Sequence, residues 1–207
     1  MTSFLTRGAL AGTFTPSRFL SVCLRTTMVA LVAILLLSGR AAHAQEPAVD
    51  DVVVANSATH LLLYCAVNNG FTAEMEKGLH NGIPITFTFF VRLEQLRSML
   101  PGRGVASFSF DQTLLYDNLK EEYRVTVGVG SGKTVTAKTL KEAKRLMAEV
   151  NGMKVVPLAR LVPDAEYVLS VKARLDKKTL PLNFHYLVPF WHLWDFETQW
   201  NTVRFRY

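Results

Sequence analysis

The chain has 207 residues with 23 Lys and Arg against 17 Asp and Glu, yet Arg7, Arg18, Arg25 and Arg40 all precede the first acidic residue, Glu46. Setting that leader aside leaves 19 basic against 17 acidic residues, a net charge of +2, so the high isoelectric point gives no support for nucleic-acid binding, which needs a concentrated basic face. Of two cysteines, Cys23 falls in the leader, which excludes an intramolecular disulfide in the rest; the 163 residues from Gln45 to Tyr207 are enough for one domain that buries roughly 70% of its extended-chain surface without a staple or a metal.

Within the leader, Met28 to Leu37 is an apolar run, and Ala42-His43-Ala44 has the small-x-small form of a signal-peptidase site. Residues 1–44 therefore read as an export signal cleaved after Ala44. The run is shorter than the about 20 apolar residues of a membrane span. A mitochondrial transit peptide shares the Arg- and Ser-rich, acid-free composition, but the compact apolar block ahead of Ala-His-Ala favours export. Leu20-Ser-Val-Cys23 departs from a lipoprotein box, because Val22 stands where a small residue is wanted and the apolar block follows Cys23.

Residues 45–57 read as a polar lead-in with a short strand at Val52-Val-Val54, and residues 58–207 as a single domain. His60 to Asn68 is a strand with Leu61, Leu63, Cys65 and Val67 on one face, so Cys65 is a small buried hydrophobe. Thr72 to His80 is a short helix stopped by Asn81-Gly82. Gly82-Ile-Pro84 opens a long strand with Ile85, Phe87, Phe89, Val91 and Leu93 inward and Thr86, Thr88, Arg92 and Glu94 outward; only Phe90 breaks the pattern. A turn is expected at Pro101-Gly-Arg-Gly104, then an antiparallel strand from Ala106 to Tyr116.

Tyr123, Val125, Val127 and Val129 mark a fourth strand, which turns back through Gly128 to Gly132. Thr139-Leu-Lys-Glu142 is a capping box for a helix expected to reach about Val150 and to stop at Asn151-Gly152. Val155 to Val162 reads as a strand broken by Pro157. Tyr167 to Asp176 is the best-patterned stretch, with Tyr167, Leu169, Val171, Ala173 and Leu175 on one face against Ser170, Lys172, Arg174 and Asp176. The last strand spans about Gln199 to Tyr207. Six or seven such strands imply a mainly β fold, an antiparallel immunoglobulin-like β-sandwich with two short helices in the connections.

Chemistry is sparse. Gly128-Val-Gly-Ser-Gly-Lys133-Thr134 fails as a phosphate loop, because Val127 stands where the first glycine belongs and the β-like Val135-Thr136-Ala137 follows where a helix is required. A hairpin turn is the expectation, with no nucleotide. His60, His80, His185 and His192 have no metal-ligand spacing, and no cofactor or metal is expected. Asp176, Asp195 and Glu197 offer a carboxylate set of the kind that hydrolases use, and Ser131 lacks the glycine two residues before it that a nucleophile elbow needs. Seven aromatic residues, Phe184, Tyr186, Phe190, Trp191, Trp194, Phe196 and Trp200, crowd into 17 positions. They read either as rings filling the end of the sandwich or as a surface for peptide, sugar or the membrane interface, centred on Phe190, Trp191, Trp194, Phe196 and Trp200.

Gly82-Ile-Pro84, Tyr116, Tyr123-Arg-Val125, the capped Thr139 helix and Tyr167 through Leu175-Asp176 to Leu180-Pro181 together resemble a proteobacterial family of exported proteins, domain-of-unknown-function family 4390. The resemblance runs from about Ala58 to Trp200, and Trp194-Asp195-Phe196 to Trp200 is similar to that family's tryptophan-containing end. It implies a Gram-negative envelope location and no assigned activity, and it supplies no catalytic residues.

The reading that follows is a non-catalytic periplasmic module that binds or scaffolds another envelope protein or glycan through a sheet edge or the aromatic end. Two alternatives stay open on the sequence. One is a small outer-membrane β-barrel, suggested by the terminal aromatic strand. The other is an envelope hydrolase using Asp195 and Glu197.

Overall fold

A computed structural model describes residues 46–128, 132–175 and 196–207. In chain order the elements are β1 (Ala48–Asn56), β2 (His60–Asn68), α1 (Ala73–His80), β3 (Ile85–Arg97), β4 (Leu100–Asp117), β5 (Glu122–Val127), β6 (Lys133–Ala137), α2 (Leu140–Ala148), β7 (Glu149–Pro157), β8 (Glu166–Leu175) and β9 (Asn201–Arg206). Strands make up 62% of the described residues, so the fold is mainly β, with antiparallel sheets and two α-helices.

The strands form a three-stranded sheet, β1-β2-β7, and a six-stranded sheet, β6-β5-β4-β3-β8-β9, which curls into a half-barrel. Immunoglobulin domains divide seven strands four to three, or nine strands four to five. The division here is three to six. Nor do the described strands join in one closed ring, the arrangement that a transmembrane barrel requires.

The core lies where sequence alternation puts it. Ile85, Phe87, Phe89, Val91 and Leu93 of β3 are buried, and their partners on β8, Leu175 against Phe87 through Leu169 against Leu93, are buried too. Each such side chain contributes roughly 1.5–3 kcal/mol of transfer free energy. The buried Tyr167 keeps a partner for its polar end, accepting from the Val162 backbone N–H at 2.7 Å. Leu61, Leu63, Cys65 and Val67 of β2 face this layer from the smaller sheet. The helices close the remainder. Thr72 and Thr139 cap them by accepting from Met75 N and Glu142 N, each at 3.3 Å, and Met75, Leu79, Ala143 and Met147 go inward.

Four expectations need correcting. The lead-in is largely a nine-residue strand, β1, whose pattern is hidden by a bulge between Asp50 and Val53, with Asp51 at φ 53°. The chain reverses at Ser98-Met99 instead of Pro101–Gly104, with Met99 at φ 64°, and the Pro-Gly run lies inside β4. Pro101 is tolerated because β5 pairs with β4 only from Thr113 to Asp117, so its missing N–H breaks no ladder on that side. Helix α2 ends at Ala148, and β7 begins at once. Asn151-Gly152 therefore sits in a strand, where Gly152, at φ 70°, is the extra residue between the Leu63–Met153 and Tyr64–Asn151 pairs.

Candidate functional site

Side chains alternate faces along a strand, so a one-residue slip in pairing transfers every later residue to the other face. Such a slip occurs where the chain returns to the larger sheet. Val171 pairs with Asn201 and Ser170 with Thr202, but Arg174 bridges to Glu197, one residue short of that register. The extra residue lies between. Thr198 holds the bulge to β8, its N–H donating to Ala173 O at 2.9 Å and its hydroxyl accepting from Ala173 N at 3.0 Å.

Phe196 and the buried Thr198 consequently point inward, and Glu197 and Trp200 outward. Phe196 meets Phe87 edge-on at 5.3 Å between centroids, so it belongs to the core. Trp200 instead meets two cations, the Arg92 guanidinium carbon at 4.5 Å from its ring centre and Lys172 Nζ at 4.9 Å.

The register of β3 on β8 completes the outer face. Phe90 stands opposite Lys172 and Thr88 opposite Arg174, which brings Lys172 Nζ to 5.2 Å and the Arg174 guanidinium carbon to 4.9 Å from the Phe90 ring. The result is an alternating series, Arg174, Phe90, Lys172, Trp200, Arg92. Lys172 lies at its centre, ion-paired with Glu197 and 20% exposed. Cations over aromatic rings are attracted to the ring face and lose freedom. Three positive groups are thus held in place, Lys172 by the Glu197 carboxylate as well, with Asp111 one strand further out, accepting from the Thr88 hydroxyl at 2.8 Å.

Of the aromatic residues expected to form a binding surface, the described ones separate into core (Phe196) and outer face (Trp200); Phe190, Trp191 and Trp194 lie outside the described residues. Asp176 and Asp195 lie outside them as well, and Glu197 is engaged by Lys172. The sequence did carry a signal for the outer face. Phe90 was the one aromatic ring on the wet side of its strand, and Arg92, Lys172 and Arg174 shared that side; the pairing register that assembles them was the missing step.

The other candidates have structural surroundings. His80 is hydrogen-bonded through Nδ1 to Glu76 O at 2.7 Å and through Nε2 to the Tyr123 hydroxyl at 3.1 Å, with its ring 5.0 Å from that of Tyr116. Burial raises the Tyr123 hydroxyl above its ordinary pKa. Burial also pushes the Cys65 thiol up to about 12, which keeps it protonated and unreactive. Val127 pairs with Lys133 across the glycine-rich segment, whose residues 129–131 are outside the described set. Among the described residues no group of three or more His, Cys, Asp or Glu is placed to hold a metal, and no helix is long and apolar enough to cross a membrane.

These features define a two-sheet antiparallel β domain that carries a cation–aromatic plateau on the outer face of its larger sheet. The chain belongs to the family described as a domain of unknown function (DUF4390), whose profile matches residues 44–204. No curated protein and no solved structure matches it.

Proposed function

We propose that the protein is an exported, periplasmic, non-catalytic module that docks an acidic surface of another envelope protein on the plateau of Arg92, Lys172, Arg174, Phe90 and Trp200. The observation that carries this reading is the restraint of three cations by two rings and one carboxylate on a sheet face. Restrained Arg and Trp side chains are the residue types that dominate protein interfaces, because little entropy is lost when they engage. A protein partner is favoured over a neutral glycan. A neutral glycan offers no carboxylate to the three cations. The leader ending at Ala42-His43-Ala44 supports export.

A photo-cross-linking residue in place of Ser170, which stands opposite Arg92 at the edge of the plateau, tests the docking. The expected product joins an Asp- or Glu-rich segment of one envelope protein, and it is lost on raising salt or in the double variant Arg92→Glu/Arg174→Glu. The same product after charge reversal rules the plateau out. Amino-terminal sequencing of the periplasmic fraction tests export separately: the chain is expected to begin at Gln45, and an uncut chain confined to the cytoplasm overturns that half.

A further inference from the structure

The two sheets adjoin on one side through β1, where Asn201 Nδ2 donates to Val49 O at 2.7 Å. On the other side β7 and β6 are both edge strands, and α2 packs between their sheets. A cleft of about 430 Å³ opens at this seam. That volume lies within the roughly 300–1,000 Å³ range of small-molecule sites, which recur at the mouths of β-barrels.

Its lining is graded from apolar depth to polar rim. Val150 and Gln112 are buried, Val135, Leu146 and Met153 are half-buried along the walls, and Lys154 is exposed. Gln112 is the anomaly. It is 2% exposed, between Phe110 and Leu114 on the inner face of β4. Its Nε2 donates to the Glu149 carbonyl at 3.4 Å, and its Oε1 has no partner among the described residues. A methionine or leucine would fill such a position without leaving a polar atom unserved.

We infer that this seam cleft binds a small, mostly apolar molecule with one hydrogen-bond donor, an aliphatic alcohol or N–H amide, whose donor reaches Gln112 Oε1 while its chain lies along Val135, Leu146 and Met153. The inference shares no residue with the outer plateau and stands or falls independently of the docking reading.

Methyl-group NMR titration of the protein tests it with n-octanol and octyl methyl ether, which match in apolar character but differ in the donor. Octanol is expected to shift the Val135, Leu146 and Met153 methyls saturably and to bind about fivefold tighter than the ether, the worth of one net hydrogen bond. In Gln112→Met the two compounds should bind equally. Absence of shifts at those methyls, or equal affinity of the two compounds for the unaltered protein, overturns the inference. Leu146→Trp, which adds bulk to the cleft wall and leaves the Gln112 amide in place, is a second variant: it should abolish both titrations, and undiminished binding places the ligand elsewhere.

Discussion

Phe196 and Trp200, four residues apart, face opposite sides of the larger sheet because one extra residue between them shifts the pairing with β8. Phe196→Ala removes a ring from the Phe87 contact and, with Phe196 only half-buried, should cost about 2 kcal/mol, below the roughly 3–5 of a fully buried phenylalanine. Trp200→Ala removes contacts on the solvent side and should cost under about 1 kcal/mol, the range of exposed cation–π pairs. Urea denaturation of the two variants compares them directly. Equal losses would mean that both rings are core.

Cys65 supplies a chemical test of the buried layer. In a Cys23→Ser background, iodoacetamide should leave the native protein unlabelled at pH 8 and label it at the rate of unfolding as urea is added. The same thiol links stability to alkaline pH. Its folded pKa is raised from 9.0 to about 12, so below pH 9 both states are protonated and its contribution is complete. Between those values the unfolded thiol ionises and the folded one does not, so stability falls with rising pH. Cys65→Ala should flatten that part of the profile in an alkaline denaturation series.

Much of this was legible because most strands alternate cleanly. β2, β3 and β8 each bury the apolar face that alternation marks, and both Thr caps obey the N-cap rule, so these elements follow from local pattern alone. The errors fall where a bulge breaks the period. Asp51 hides β1, Gly152 imitates a helix stop, and Pro101-Gly imitates a turn that Ser98-Met99 actually makes. The outer plateau was only partly legible, for a different reason. Arg92, Lys172 and Trp200 meet only through the register of three strands that are far apart in sequence, which no local pattern encodes.

The β4–β5 turn gives an acid-side prediction. The backbone N–H groups of Lys120 and Leu119 donate to Asp117, and Arg124 lies at 2.6 Å from it, so its carboxyl titrates below the ordinary carboxylate range despite an opposing desolvation effect. A carboxyl depressed on folding stabilises the folded state above its unfolded pKa of about 4, and that contribution is lost as pH falls through the lower folded value. Hydrogen exchange at Leu119 and Lys120 should speed up over that interval. Asp117→Asn still accepts the two amides but carries no charge toward Arg124, so exchange there should become independent of pH in this window after correction for intrinsic rates. Persistence of the dependence would assign it to another group.

Gly152 separates conformational strain from steric crowding. It sits in β7 at φ 70°, and a Cβ built there would lie 3.5 Å from the Tyr64 hydroxyl, an ordinary contact. Gly152→Ala should therefore cost only the left-handed backbone penalty, about 1 kcal/mol, and Gly152→Asn distinctly less, because asparagine tolerates that region. Gly132 provides the contrast. At φ 53° its Cβ would come within 2.9 Å of Thr126 Cγ2 and 3.0 Å of the Val127 carbonyl oxygen, so Gly132→Ala and Gly132→Asn should both be costly, crowding adding to strain. Thermal denaturation of the four variants reads the difference. A Gly152→Asn protein as unstable as Gly152→Ala would mean that the bulge is set by packing against β2 and not by the backbone angle of one residue.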